Sequence, residues 1–172
     1  GAVVARFDGR MEYGPRALGN RSIMYHGRDP DVNNWLNKRL GRTEFMPFAP
    51  VTLMEDRQRY FFNSDGVERT AEFMTVTLDC TDEMKQDCPA AVHVDGTARP
   101  QLITSERNPG YFDILKAYKR LTGIGALINT SFNMHEEPIV RTPEDAIRAY
   151  LLGDLDALIL GPFLILKENH RN

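Results

Sequence analysis

Residues 108–133 read NPGYFDILKAYKRLTGIGALINTSFN, and this stretch decides the fold. Asn108 is a cap residue and Pro109 suits the first helical position. Tyr111, Ile114, Leu115, Tyr118 and Leu121 then recur at helical spacing, and Gly123 stops the run. Ala126–Asn129 is an apolar run of strand length, and a polar loop follows it at once. Polar residues just past the carboxyl end of a buried strand are where open α/β sheets bind ligands.

Outward from this unit, strands and helices keep alternating. Thr142-Pro143-Glu144-Asp145 has a cap, a proline in the first turn and an acid three residues on, which predicts a helix to about Leu152. Ala157–Leu160 and Phe163–Leu166 read as strands joined at Gly161-Pro162. Toward the start, Ala2–Phe7 is a strand ended by Asp8-Gly9, and a short strand covers Ser22–Tyr25. Asp29 reads as an N-cap before Pro30, with Val32, Trp35, Leu36 and Leu40 on one face and Gly41 as the stop. Phe48–Met54 and Phe73–Leu78 are strand-like, and Glu55–Phe62 is a short helix. Asp79–Pro89 reads as an acidic surface loop. Val92–Val94 and Arg99–Ile103 bracket the turn Asp95-Gly96. The class is therefore α/β (α+β), one mixed sheet flanked by helices.

Composition sets the limits. The chain has 172 residues, 42% hydrophobic and 26% charged, which excludes wholesale disorder, coiled coil and collagen. One domain, residues 1–172, is expected. No apolar stretch nears the ~20 residues of a membrane helix, and no signal sequence opens the chain, so a cytoplasmic protein is expected. It starts GAVVARF without Met and reads as a piece of a longer protein. The net charge of −3 argues against bulk nucleic-acid binding, but it is uneven. Residues 1–60 carry ten Lys and Arg against seven Asp and Glu, and the rest 11 against 17. Sixteen of the 21 basic residues are Arg, the residue suited to forked anion recognition. Cys80 and Cys88 lack metal-site spacing and read as free thiols.

Four clusters could carry chemistry. Gly9–Ser22 holds three glycines and the cations Arg10, Arg16 and Arg21, with Glu12 placed to hold one arginine. The bland alternative is a surface turn with solvated arginines. Lys38, Arg39 and Arg42 sit at a predicted helix C-terminus, where the macrodipole alone would stabilise them. Thr97, Arg99 and Gln101 alternate onto one strand face, suiting either a pocket wall or a solvated edge. Asn129, Ser131 and Asn133 of the NTSFN stretch offer donors and acceptors to an amide or a phosphate, the alternative being that they only form a turn. His26, His93 and His135 stand alone, and no P-loop, GxSxG, HExxH or zinc pattern is present.

GRMEYGPRALGNRSI, TEFMPFAP, HVDGTARPQ and ALINTSFN with EPIV and TPEDA resemble, in order, the C-terminal end of the nodulation-protein-type O-carbamoyltransferases. The resemblance runs from about Val3 to Leu166. It implies a YrdC-like twisted mixed β-sheet flanked by helices, the smaller half of a two-domain enzyme. The other half would be an N-terminal sugar-kinase/actin-like domain that carries a metal ion and the hydroxyl acceptor. Carbamoyl phosphate and ATP, with Mg²⁺, would give a carbamoyl-adenylate with loss of pyrophosphate, and the carbamoyl group would pass to a small hydroxyl acceptor. Arg16 and Arg99 fall on the family's phosphate-binding arginines, and Asn129 and Ser131 on polar residues beside the carbamoyl group. Two departures stand out. Met46 replaces the last arginine of the family's KxRExFRPFAP block and Leu40 falls near its lysine, leaving Lys38, Arg39 and Arg42 as substitutes. Glu136-Glu137-Pro138 stands where the family has Gly-Glu-Pro. An RNA-binding module and a silent anion sensor are the rival readings.

Overall fold

The computed structural model describes residues 1–42 and 47–168. Nine strands and six helices follow in order. They are β1 (Val4–Phe7), β2 (Arg21–Tyr25), α1 (Val32–Arg39), β3 (Ala49–Leu53), α2 (Arg57–Tyr60), α3 (Glu68–Ala71) and β4 (Leu78–Asp79). After them come α4 (Asp82–Asp87), β5 (Thr97–Ala98), β6 (Gln101–Ile103), α5 (Pro109–Thr122), β7 (Ala126–Ser131), α6 (Pro143–Leu152), β8 (Ala157–Leu160) and β9 (Phe163–Leu166).

Seven strands form one mixed sheet in the order β6-β3-β7-β2-β1-β8-β9, and β4 pairs with β5 in a separate ribbon. β1–β8 and β3–β6 are parallel pairs, and the remaining neighbours of the large sheet are antiparallel. β7 lies near the centre, with Ala126, Leu127, Ile128 and Asn129 all buried. Strands buried on both faces read as continuous apolar runs, which is why ALIN carries no alternation. Two apolar clusters sandwich the sheet. One gathers Ala5, Ile23, Ile128 and Leu158 with α1 and α6; the other sets Met24, Val51 and Leu127 against Tyr111 and Leu115 of α5.

The two long helices begin and end where side-chain chemistry requires. Asn108 accepts the Tyr111 N–H, and Gly123 closes α5 at φ +79°. Thr142 and Asp145 make the reciprocal capping box of α6. Elsewhere the elements differ from expectation. α1 starts two residues later than the Asp29 cap predicts, because Asp29 accepts the Asp31 N–H and the Trp35 indole N–H instead. The expected strand Phe73–Leu78 is reduced to its last residue, and Val92–Val94 is not a strand. The expected surface loop Asp79–Pro89 contains α4, capped by Thr81 and anchored by buried Met84 and Cys88. Both cysteines are free and buried.

Candidate functional site

The Gly/Arg loop between β1 and β2 is held by its own polar side chains. Glu12 was expected to hold an arginine; instead its Oε1 accepts the backbone N–H groups of Leu18 (2.8 Å), Asn20 (2.7 Å) and Arg21 (3.3 Å). Arg21 turns inward. Its guanidinium donates to the carbonyls of Asp8 and Asn20 (2.9 Å each) and Gly9 (3.2 Å), and lies 3.6 Å from the Phe7 ring centroid. Burial, above all, lowers its pKa. This arginine braces the loop, so the substrate-binding role given to it from sequence does not fit. Arg6, which the sequence hides inside a strand, does the same from β1: it donates to Gly19 O (2.7 Å), Asn20 Oδ1 (3.1 Å) and the Asp8 carboxylate. Gly19, at φ +120°, is forced: a Cβ there would stand 2.2 Å from the Tyr111 ring.

The loop then joins the sheet. Gln101 donates to Leu18 O (2.9 Å), while Asn129 donates to Ala17 O (3.1 Å) and to Gln101 Oε1 (2.8 Å). These three bonds tie the neighbours of Arg16 to a residue two positions beyond Arg99. The two expected phosphate-binding arginines therefore converge. Burial lowers the Arg99 pKa, and the positive charge of Arg16 lowers it further. Among the described residues neither guanidinium has a hydrogen-bonding or ion-pairing partner in the protein. Two forked cations that repel each other and have no anionic partner among the described residues have the chemistry to receive a ligand anion. Beside them Asn129 is 2% exposed, and its Oδ1 has no donor among the described residues.

Thr97, Arg99 and Gln101 do not share one strand face as the alternation predicts. Pro100 has no N–H and the strand breaks there, β5 leaving for the ribbon and β6 for the large sheet. Thr97 is engaged by Asp95 and His93, while Arg99 sits at the break.

The basic residues in the last turn of α1 and just beyond it separate. Lys38 is exposed, and Arg39 turns toward Asp154 O (3.4 Å) and Asp156 (3.7 Å). The sequence leaves Arg42 between a helix-end cation and a substrate-binding substitute for the family's basic residues. It is 8% exposed, with burial holding its pKa down to about 10, so it is no solvated helix-end cation. It donates to Thr130 Oγ1 (3.0 Å), Asn37 Oδ1 (3.3 Å), Ser131 Oγ (3.3 Å) and Asn133 Oδ1 (3.4 Å). Ser131 in turn donates to Asn133 (2.6 Å). Arg42 thus organises the polar end of β7. Arg10 is exposed on the loop's outer side. Met46 and the rest of Thr43–Met46 lie outside the described residues.

Among the described residues no group of three or more His, Cys, Asp or Glu could hold a metal ion, and no helix is long and apolar enough to cross a membrane.

The fold is an α/β domain whose mixed sheet carries at one end two arginines unpaired among the described residues and an Asn129 carboxamide oxygen without a donor. The family model described as carbamoyltransferase C-terminus matches residues 1–167, and the chain belongs to that family. It is 42% identical over 169 residues to nodulation protein NolO of Bradyrhizobium diazoefficiens, covering 98% of this chain and 31% of that protein. It is 31% identical over 161 residues to the 3'-hydroxymethylcephem-O-carbamoyltransferase of Streptomyces clavuligerus, covering 94% of this chain and 30% of that protein. Uncharacterized protein MJ1058 of Methanocaldococcus jannaschii is 41% identical, covering 98% of this chain and 27% of its own length. The chain thus spans less than a third of the length of these relatives. The crystal structure of full-length HypF in its phosphate- and nucleotide-bound form shares the fold at TM-score 0.61. That match has 22% identity and covers 94% of this chain and 23% of that chain. The expected mixed sheet flanked by helices is therefore the one observed.

Proposed function

We propose that this chain is the carbamoyl-phosphate-binding part of an O-carbamoyltransferase. In this reading carbamoyl phosphate and ATP give a carbamoyl-adenylate, and the carbamoyl group then passes to a hydroxyl acceptor. The observation that carries it is the convergence of Arg16 and Arg99 with no protein anion pairing either one among the described residues. A phosphate dianion between the two guanidinium groups would turn their repulsion into attraction and fill both forks. Carbamoyl phosphate also has a planar NH2 that needs an acceptor, and Asn129 Oδ1 is a buried acceptor lacking a donor. Arg42 holds Ser131 and Asn133 beside that carboxamide.

ATP would enter as a cosubstrate with Mg²⁺, whose charge supports phosphoryl oxygens during transfer. The described carboxylates and histidines do not cluster to hold a metal, so this chain's part is to bind and orient anions. The metal ion and the acceptor are assigned to the N-terminal sugar-kinase/actin-like domain of the longer polypeptide.

Titration calorimetry on this chain tests the reading. Carbamoyl phosphate is expected to bind, inorganic phosphate to compete, and Arg16→Ala and Arg99→Ala each to weaken both. Unchanged affinity in both variants overturns it. Incubated with carbamoyl phosphate, ATP, Mg²⁺ and a panel of polyols and aminoglycosides, the chain alone is expected to carbamoylate none of them. Robust product would place the acceptor chemistry here and end the two-domain assignment.

A further inference from the structure

Helices cover the sheet unevenly. α6 packs against β1 and β8 on one face, whereas α5 packs on the opposite face against β3 and β7. On the α5 face the strand register places Leu127, Met24, Val4, Ile159 and Leu164 on successive strands from β7 to β9. Leu164 and its face neighbour Leu166 are 62% and 63% exposed. Between them and α5 runs an apolar groove of about 340 Å³. Ile114 and Tyr118 of α5 form one wall, Val4 and Ile159 lie in its floor, and Gly1 and Ala2 also line it. β9 pairs with β8 alone among the described residues, so its outer edge is open.

We propose that this groove, continued over Leu164 and Leu166, is the docking site of an amphipathic segment immediately preceding Gly1 in the longer polypeptide, packed as a helix beside α5. More than two thirds of each curated relative lies outside the matched part, so there is chain to supply it. Residues upstream of Gly1 leave from the lining of the groove itself. A segment tethered there meets the groove at an effective concentration on the order of millimolar, far above that of a second copy in solution. The dimensions agree. Three strands at ~4.8 Å spacing leave a bare strip of about 10–15 Å, the width of one helix. A helix of roughly ten residues spans it, with apolar side chains at i, i+3, i+4 and i+7.

The test compares this chain with one extended by the roughly 20 residues encoded just before Gly1, enough for such a helix and its turn. Binding of an apolar fluorescent dye and sedimentation are read in parallel. The extended chain is expected to be monomeric and to bind several-fold less dye. In it, Leu164→Asp restores dye binding, whereas Leu152→Asp, an exposed position near the end of α6, does not. Both residues are exposed, so neither variant disturbs the core. Equal dye binding by the two chains overturns the proposal. So does suppression that Leu164→Asp fails to relieve, an upstream reading frame with no apolar segment, or a short chain that hides the patch by dimerising.

Discussion

Arg6 and Arg21 lie within one end of the sheet's core, and Arg16 and Arg99 stand over the same loop. The first pair is 3% and 4% exposed, and its terminal guanidinium nitrogens donate to loop carbonyls, the Asn20 carboxamide and the Asp8 carboxylate. The second pair is more open and faces its own like charge. An arginine becomes available to a ligand when the backbone around it offers no oxygen. In the Gly/Arg loop the oxygens of residues 8, 9, 19 and 20 point inward and leave Arg16 unfilled.

That contrast can be broken from either side. The largest effect is expected from Arg6→Ala. Removing a buried, carboxylate-paired cation typically costs about 3–5 kcal/mol, and Asp8, being partly exposed, places this case near the lower end. Denaturant unfolding measures it; a variant as stable as the parent would mean that Arg6 is no brace. Arg99→Ala should do the opposite, leaving stability unchanged or slightly raised while weakening phosphate binding by about 1.5–3 kcal/mol, roughly ten- to a hundred-fold. If Arg99→Ala unfolds the protein instead, the division between the pairs is wrong.

Asn129→Leu sharpens the contrast at its boundary, since this residue belongs to both regions. Ala17 O and Gln101 Oε1 each lose a donor, costing about 1–2 kcal/mol of stability, and calorimetry should show weaker anion binding as well. A stability loss with intact binding would confine Asn129 to bracing. The smallest effect is expected at Glu136, which sits at φ +60°. Glu136→Gly should stabilise by about 0.5–1 kcal/mol, because the left-handed strain of a non-glycine residue exceeds the entropy glycine loses. Binding should not change, since Glu136 is exposed and contributes no group to the proposed anion site.

The sequence makes the long elements legible because their ends are chemical. Asn108-Pro109, Gly123 and Thr142-Pro143-Glu144-Asp145 each satisfy or stop a backbone ladder locally, and α5, α6, β8 and β9 fall where expected. α4 escaped because six mostly polar residues with one buried methionine carry no periodicity. Arg16 and Arg99 were singled out by type and motif, and what the structure adds is their proximity. The brace role of Arg21 and Arg6 was not legible, because it depends on carbonyl directions set by the loop's glycines. Nor was the burial of Arg42, whose acceptors other than nearby Asn37 lie 88–91 residues away on β7 and just beyond it. Local spacing carries no trace of such a contact.

The strand order also governs when the site can come into being. β1 must pair with β8 near the far end of the chain, and the Val3 N–H reaches Asp156 across 153 residues. Arg16, Arg99 and Asn129 come together only when β7 has inserted between β2 and β3. Topologies rich in such distant pairings fold slowly, because loop closure precedes its reward. An anion that needs both guanidinium groups therefore has no foothold on a half-assembled chain. On the proposed function it would bind the finished sheet alone, and at a hundred times its Kd would hold that sheet together by about 2.7 kcal/mol.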